Sequence, residues 1–474
     1  MEQGKQVSIQ DIMSRLDRTK ATRFYWLLTL LSTIGGFLFG YDTSNIGTAM
    51  VFMPASYHSG ALVEGYLVSG ASLGAAIGAL IAMALTDRYG RKSMLIFDAA
   101  LYTVGAVLSA VTVDLAMLLI SRTLIGLAVG ADSAIATAYI AEYAPKGERG
   151  SLGILQQWMI TVGILGAYLV GMATLFFAPG LAYTVDWRLM LGVAAIPSLI
   201  GLAFRFMMPE SPRWLLLRGE RKKALDALNK LGIQTSEQEL SAVNIPEERK
   251  KFTLTKGMKR ALLVAGLFMM FQQITGINIP FYYGPTVISS LHIFRAGSSV
   301  VYSQAYAVAA SSILAVINVA ATYIGFRLID RLGRRSLALT GYIGMAVFGF
   351  VGTILLLEHI LIGLLIAFAG FIIFFAFGVG GTGWIIQGEY FPTEVRGRLA
   401  GIVAFIDWIA NFAIVEVFPL LRITIGLAYT EALFGILSVA AFIVFYFIMP
   451  MTKGKSVEEI AEMFEKGYSV RERA

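Results

Sequence analysis

An all-α membrane protein with twelve spanning helices, arranged as two parallel six-helix bundles, is the fold class this sequence predicts. Three observations carry that expectation. The 474 residues are 57% hydrophobic and 15% charged, whereas a soluble domain carries about 25% charged residues. Apolar stretches recur at lengths that cross a ~30 Å hydrocarbon core, which takes about 20 helical residues. Two charged motifs each occur twice, at nearly the same offset.

The apolar segments run over 24–47, 62–85, 93–113, 115–141, 152–178, 188–208, 260–289, 300–328, 336–358, 360–390, 398–425 and 428–450. The first 23 residues are polar, and no A-x-A cleavage signal follows, so the first segment reads as a span and not as a signal peptide. Lys and Arg concentrate in the two tails and the even-numbered loops, with Arg122, Arg188, Arg205, Arg295 and Arg422 standing apart. Loop 48–61 has neither residue. By the positive-inside rule both termini and the central loop are cytoplasmic. The net charge of +7 is thus a topology signal, and no nucleic-acid partner is expected.

The predicted organisation is a cytoplasmic tail (1–23), an N-terminal bundle (24–208), a cytoplasmic helical linker (209–259), a C-terminal bundle (260–450) and a second tail (451–474). PESPRWLLLRGERKKALDALNKLG opens the linker with a Ser-Pro helix start and reaches a helix stop at Gly232, so two or three short helices fit there. The last tail carries SVEEIAEMFEKG, whose Ser456 and Glu459 form a capping box ahead of a surface helix. There is no cysteine, which excludes disulfides and thiolate chemistry. Three isolated histidines, His58, His292 and His359, read as loop or helix-end residues, and no metal site is expected.

TDRYGRK at 86–92 returns as IDRLGRR at 329–335, and EYAPKGERG at 142–150 returns as EYFPTEVRG at 389–397. Two motifs repeated at one spacing indicate two homologous halves, an arrangement that places substrate between them near the midplane. Asp87, Arg88, Arg91, Lys92, Glu142 and Arg149 correspond to Asp330, Arg331, Arg334, Arg335, Glu389 and Arg396. Opposite charges at matched helix ends are expected to form a cytoplasmic latch that ties the halves in one state and parts in another. The alternative is ordinary loop charge, each exposed pair contributing ~0–1 kcal/mol.

These residues, together with GGFLFGYD (35–42), PESPRWLL (209–216) and QQITGINIPFYYGP (272–285), make the chain resemble the sugar porter family of the major facilitator superfamily over nearly its whole length. The loop motifs are shared across that superfamily; the string at 272–285 is the specific one. The resemblance implies the major facilitator fold, and it adds Glu210 and Arg213 to the charge latch.

A sugar presents several hydroxyls around a ring with apolar faces. Side-chain amides offer a donor and an acceptor without charge, and an indole offers a flat apolar wall with one N–H. Amides are costly in a membrane unless paired, so their positions are informative. At ~1.5 Å per residue, Gln157, Gln272, Gln273, Asn318, Trp384, Trp408 and Asn411 reach similar depths on five helices of both halves. The resemblance implies that Gln157, Gln272, Gln273, Asn278, Asn318, Trp384 and Asn411 bind hydroxyls or stack on the ring, and that Tyr282 and Tyr283 close an outer gate. Two departures stand out. FGVGGTGW (377–384) is glycine-dense where the family more often has proline, so bending or breaking of helix 10 is expected. Asp407 replaces the usual amide beside Trp408, as a sugar ligand, a second proton site or a sign of an unusual substrate. Asp132 and Glu416 are intramembrane acids without an assigned role.

Asp42 and Arg122 lie ~8 and ~10 Å from the outer ends of helices 1 and 4, so they can face each other. Pairing resolves the cost of each in lipid. Burial and the arginine act in opposite senses on the carboxyl, which can poise it for titration. The alternative is a permanent ion pair between the two helices. By resemblance Asp42 matches the proton-linked aspartate of sugar–proton symporters, where facilitative relatives have Asn, and Arg122 its partner.

The expected function is proton-coupled import of a monosaccharide by alternating access, as a monomer in the plasma membrane. Its partners are the sugar, protons and the lipid bilayer, and no cofactor besides the coupling proton is expected. The alternatives are a facilitative sugar or polyol uniporter, or a symporter of another organic solute. A non-transporting sensor on this fold is expected to need a longer tail than the residues after 450. An enzyme is not expected, because no nucleophile–base pair, metal cluster or phosphate loop is present.

Overall fold

The computed structural model describes residues 12, 14–16, 19–20, 22–145, 149–241, 253–291, 300–392, 395–455 and 457–468, without the side chains of residues 87, 141, 149–151, 153, 361 and 458. Of the residues singled out above, Ser456, His292, Arg295 and the side chains of Asp87 and Arg149 therefore lie outside the described residues.

Eleven helices among the described residues are long and apolar enough to cross a membrane. Spans 1 to 6 are Arg23–Met50, Ala61–Thr86, Arg91–Ala110, Leu115–Ile140, Ile154–Phe177 and Pro179–Met207. Spans 8 to 12 are Val300–Leu332, Arg334–Leu357, Ile362–Glu389, Arg396–Thr424 and Leu427–Ile448. Span 7 is the twelfth segment, and it is broken into Lys256–Ile274, Ile279–Tyr282 and Gly284–Ser290. The cause is local. Gly276 sits at φ +87°, and Pro280 and Pro285 each open a new short helix, where the missing N–H costs nothing.

The large exposed side chains are mostly apolar, among them Ile81, Phe97, Ile120, Ile313 and Ile366, as suits a protein whose surroundings are hydrocarbon. Inside each half, small residues let helices approach closely. A Cβ on Gly126 would lie 1.9 Å from the Ala71 carbonyl oxygen, and one on Gly74 would lie 2.2 Å from that of Thr123, so spans 2 and 4 touch backbone to backbone. Spans 1 and 5 do the same at Gly40 and Gly163. The halves meet where span 2 packs on span 11 and span 5 packs on span 8. Advancing every number in the first pair by six, within the twelve-span cycle, gives the second, so the interface carries the repeat that the motifs announced.

Three short helices, Pro212–Leu217, Arg221–Lys230 and Glu237–Ser241, occupy the linker. Ser211 caps the first through the Trp214 N–H at 3.2 Å, and Gly232 at φ +76° follows the second. The last tail forms Val457–Lys466. Span 10 is not broken at its glycines. It widens to a π-helical stretch over Phe375–Gly380 and then resumes, a distortion found often at functional sites.

The glycines of the two repeated loop motifs perform one task. Gly90 (φ +92°) and Gly333 (φ +88°) join span 2 to span 3 and span 8 to span 9. Alanine at position 90 would need a conformation close to glycine-only, costing about 1–3 kcal/mol, and its Cβ would fall 2.3 Å from Glu210 Oε2. Gly90→Ala is expected to lower the thermal unfolding midpoint measurably in detergent. Gly388→Ala, whose Cβ would meet nothing within 4 Å, is the control and should not.

Candidate substrate and coupling site

Between the halves lies a cavity lined by Phe39, Thr43, Gln157, Ile160, Ile164, Gln272, Gln273, Ile277, Asn278, Phe281, Asn318, Phe375 and Trp384. The chemistry is aromatic and aliphatic wall with five amides and one indole set into it. The amides are not equivalent. Gln157 Oε1 accepts from Trp384 Nε1 at 2.9 Å, a bond that crosses from one half to the other. Gln273 is held at both ends. Its Oε1 accepts from Asn278 Nδ2 at 2.8 Å and from Asn411 Nδ2 at 2.9 Å, and its Nε2 donates to Asp407 Oδ1 at 2.7 Å. Asn411 Oδ1 in turn accepts from Ser72 Oγ of span 2 at 2.9 Å.

Gln272 and Asn318 differ from these. Gln272 Nε2 donates to the Gly380 carbonyl at 3.3 Å. Gln272 Oε1 and Asn318 Oδ1 are both buried and have no hydrogen-bond partner among the described residues. A buried acceptor left unpaired costs about 1–3 kcal/mol, so two of them in one cavity ask for a donor-rich occupant.

Three residues expected in the site stand behind it. Asp407 and Asn411 reach the cavity through Gln273, and Trp408 packs edge-on against Phe39 with centroids 4.7 Å apart while its Nε1 donates to Ser133 Oγ at 3.2 Å. None of the three is among the lining residues. The reason is register: the residues of span 11 that face span 7 meet Gln273 first. Tyr282 and Tyr283 are buried. The Tyr283 hydroxyl donates to the Val415 carbonyl at 3.0 Å, and a Cβ on Gly47 would lie 2.3 Å from the Tyr282 carbonyl oxygen. The far part of span 7 is thereby packed on span 1, over the cavity.

Asp42 and Arg122 are both buried and form an ion pair through Nη1 and Oδ1. Arg122 also donates from Nε to the Leu67 carbonyl at 3.0 Å, so the pair ties spans 1, 2 and 4. Asp132 is partnered elsewhere. It meets Arg205 of span 6, which also holds Asp98 of span 3. Glu416 Oε2 accepts from Ser69 Oγ at 2.6 Å.

At the end carrying the repeated motifs, the described charge pairs form one cluster in each half. Arg91 binds Glu142 at 2.8 Å, and Glu210 accepts the backbone N–H groups of Arg91, Lys92 and Ser211. Burial pushes the Glu210 carboxyl above the ordinary carboxylate range, against the pull of those N–H groups and of Arg91. In the other half Arg334 binds Glu389 at 2.8 Å and Asp330 at 2.9 Å, while Arg335 Nη2 donates to the Tyr446 carbonyl at 2.7 Å and Arg396 Nε to the Phe391 carbonyl at 3.3 Å. The Arg88 and Arg331 carbonyls accept from Arg218 and Lys453. Arg213 is half-buried at the start of the linker.

Three further residues at or behind the site carry no sequence signal. Phe39 and Phe375 are aromatic residues in apolar helices, where they resemble core. Ser72 is a small polar residue of a kind that bonds its own helix in many spans. Glycine at 383 was legible only as part of a run, yet its position is specific. A Cβ there would lie 2.3 Å from Gln272 Oε1. Gly383→Ala is expected to raise the half-saturating substrate concentration about tenfold, equivalent to ~1.4 kcal/mol, with unchanged thermal stability, as a saturation curve in proteoliposomes would read.

Twelve spans in two repeated halves around a central polar cavity define a secondary transporter of the membrane. The chain belongs to the sugar (and other) transporter family, whose profile matches residues 28–464. It is 32% identical over 458 residues to the arabinose-proton symporter of Bacillus subtilis (strain 168), covering 95% of this chain and 97% of that protein. It is 32% identical over 470 residues to the galactose-proton symporter of Escherichia coli (strain K12), with 96% and 97% covered. Among solved structures, the proton:xylose symporter XylE bound to 6-bromo-6-deoxy-D-glucose superposes with a TM-score of 0.78 at 27% identity, over 94% of this chain and 99% of that one.

Proposed function

We propose that this protein imports a monosaccharide together with protons by alternating access. The observation that carries the proposal is the pair of unpartnered amide oxygens, Gln272 Oε1 and Asn318 Oδ1, in a cavity whose wall combines amides with aromatic and aliphatic side chains. Sugar hydroxyls are the donors that would satisfy both, and the Trp384 indole and Phe375 would cover the ring faces. The ion pair of Asp42 with Arg122 supplies the coupling group. A proton on Asp42 frees the Arg122 guanidinium from its carboxylate and lets spans 1 and 4 separate as the sugar is enclosed. After sugar release, loss of the proton restores the pair and resets the empty carrier. The charge clusters at the motif-bearing end face the cytoplasm in this reading, as do both termini, and the monomer in the plasma membrane is the working unit. The relatives named as arabinose-, galactose- and xylose-proton symporters support both the substrate class and the coupling ion.

Proteoliposomes challenged with labelled arabinose, galactose and xylose test the proposal. At least one is expected to accumulate against its gradient when the outside is acid, and its addition should alkalinise a weakly buffered exterior. Uptake that only equilibrates, with no proton movement, would make the protein a facilitator.

A further inference from the structure

The N-terminal half contains a second buried charge cluster that the coupling scheme does not use. Arg205 of span 6 forms ion pairs with both Asp98 of span 3 and Asp132 of span 4, through its Nη1 and Nη2 atoms. All three residues are at least 98% buried. One guanidinium cannot neutralise two carboxylates, so with both ionised the site holds one uncompensated negative charge away from water, a costly arrangement. Three polar atoms have no hydrogen-bond partner among the described residues: Asp98 Oδ2, Asp132 Oδ2 and Arg205 Nε.

Among the described residues, no cation besides Arg205 pairs with Asp98 or Asp132. Span 1 presents Gly35, whose Cβ would lie 1.8 Å from Asp132 Oδ2. The hydroxyls of Tyr102 on span 3 and Tyr139 on span 4 are used elsewhere, donating to the Leu38 and Pro209 carbonyls. Arg122 is held by Asp42, and Arg91 by Glu142. What would complete the site is one proton, placed on either orphaned Oδ2.

The location matters as much as the count. Span 1 consists of two helices, Arg23–Ser32 and Ile34–Met50, parted at Thr33. Asp132 presses on this span at Gly35, two residues beyond the break, and Asp42 lies two turns further along. We propose that Asp98, Asp132 and Arg205 form a second proton-binding site at the break in span 1, loaded and emptied once per cycle, so that two protons accompany each sugar. With the proton bound, the cluster is neutral and span 1 packs against it. With the proton lost, the extra negative charge favours the arrangement that admits water at the break. The inference rests on the proton-coupled reading above.

The test is the coupling ratio of wild type, Asp132→Asn and Asp98→Asn in proteoliposomes, from the sugar gradient that nulls proton flux at a fixed membrane potential. Each single variant leaves one carboxylate opposite Arg205, a neutral pair, so folding should persist, and sugar counterflow in the same vesicles checks that it does. The expected ratio is two protons per sugar for wild type and one for either variant. Because a charge crossing 100 mV drives about 50-fold accumulation, the sugar gradient reached at that potential should fall about 50-fold in the variants. A wild-type ratio of one, or equal ratios in all three proteins, overturns the second site while leaving symport in place. A wild type that moves sugar without protons overturns the symport reading and this inference with it.

Discussion

Replacing Asp42 with Asn is expected to abolish sugar accumulation while sugar exchange across the membrane continues. Asn cannot carry a charge, so it mimics the protonated aspartate at all pH values and leaves Arg122 without an anionic partner, held by neutral acceptors such as the Leu67 carbonyl at 3.0 Å. Sugar-loaded carriers should therefore reorient freely, which is all that exchange requires. The empty carrier should not reset, since in the proposed cycle reset follows re-formation of the ion pair. Net uptake then fails whether or not other sites hold protons. The expected readout is at least a 50-fold fall in accumulation at 100 mV, the gradient one charge supports, with counterflow within a few-fold of wild type. Loss of both activities together with a lower unfolding midpoint would assign the pair to folding. Accumulation that survives the change would remove Asp42 from coupling.

Much of this was readable before any coordinates, and the reason is the solvent. In a bilayer every span must be apolar and helical, so the segments announce themselves, and each polar residue within one is an exception that needs a cause. Asp42 and Arg122 were matched by depth and by the family resemblance, and the structure pairs them. The amides at 157, 272, 273 and 318 were gathered from three helices by the same reasoning, Asn278 joined them through the family resemblance, and all five line one cavity. Depth gives no rotation, however. Trp408 and Asn411 have suitable depth but do not line the cavity: Asn411 stands behind Gln273, as Asp407 does, and Trp408 packs on Phe39, because which face of span 11 meets span 7 depends on packing. Asp132 had an obvious charge and no visible partner because its partner is an arginine near the end of span 6, shared with an aspartate of span 3. Neither residue belongs to a repeated motif. The π-helical stretch in span 10 was legible as glycine density, but not as a widened turn.

The cavity amides lead to an expectation of opposite sign for stability and binding. Gln272→Met and Asn318→Leu each replace a buried amide with an apolar side chain of similar shape. In a residue whose role is structural, the change would remove hydrogen bonds and destabilise the protein. Gln272 Oε1 and Asn318 Oδ1 have no partner to lose, and an unmade buried bond costs about 1–3 kcal/mol. Gln272 gives up only its 3.3 Å bond to the Gly380 carbonyl, and Asn318→Leu is the cleaner case. The empty protein should unfold at an equal or higher temperature after either change. Sugar binding should weaken about tenfold for each acceptor removed, the equivalent of the ~1.4 kcal/mol expected for one net hydrogen bond, and about a hundredfold in the double variant if the two act independently. Tryptophan fluorescence reports binding directly, because Trp384 lines the same cavity. Weakened binding with undiminished stability places both amides on the sugar. A parallel fall in both quantities would mean that the two oxygens find partners within the protein, and the cavity would lose its strongest claim to a hydroxyl-rich occupant.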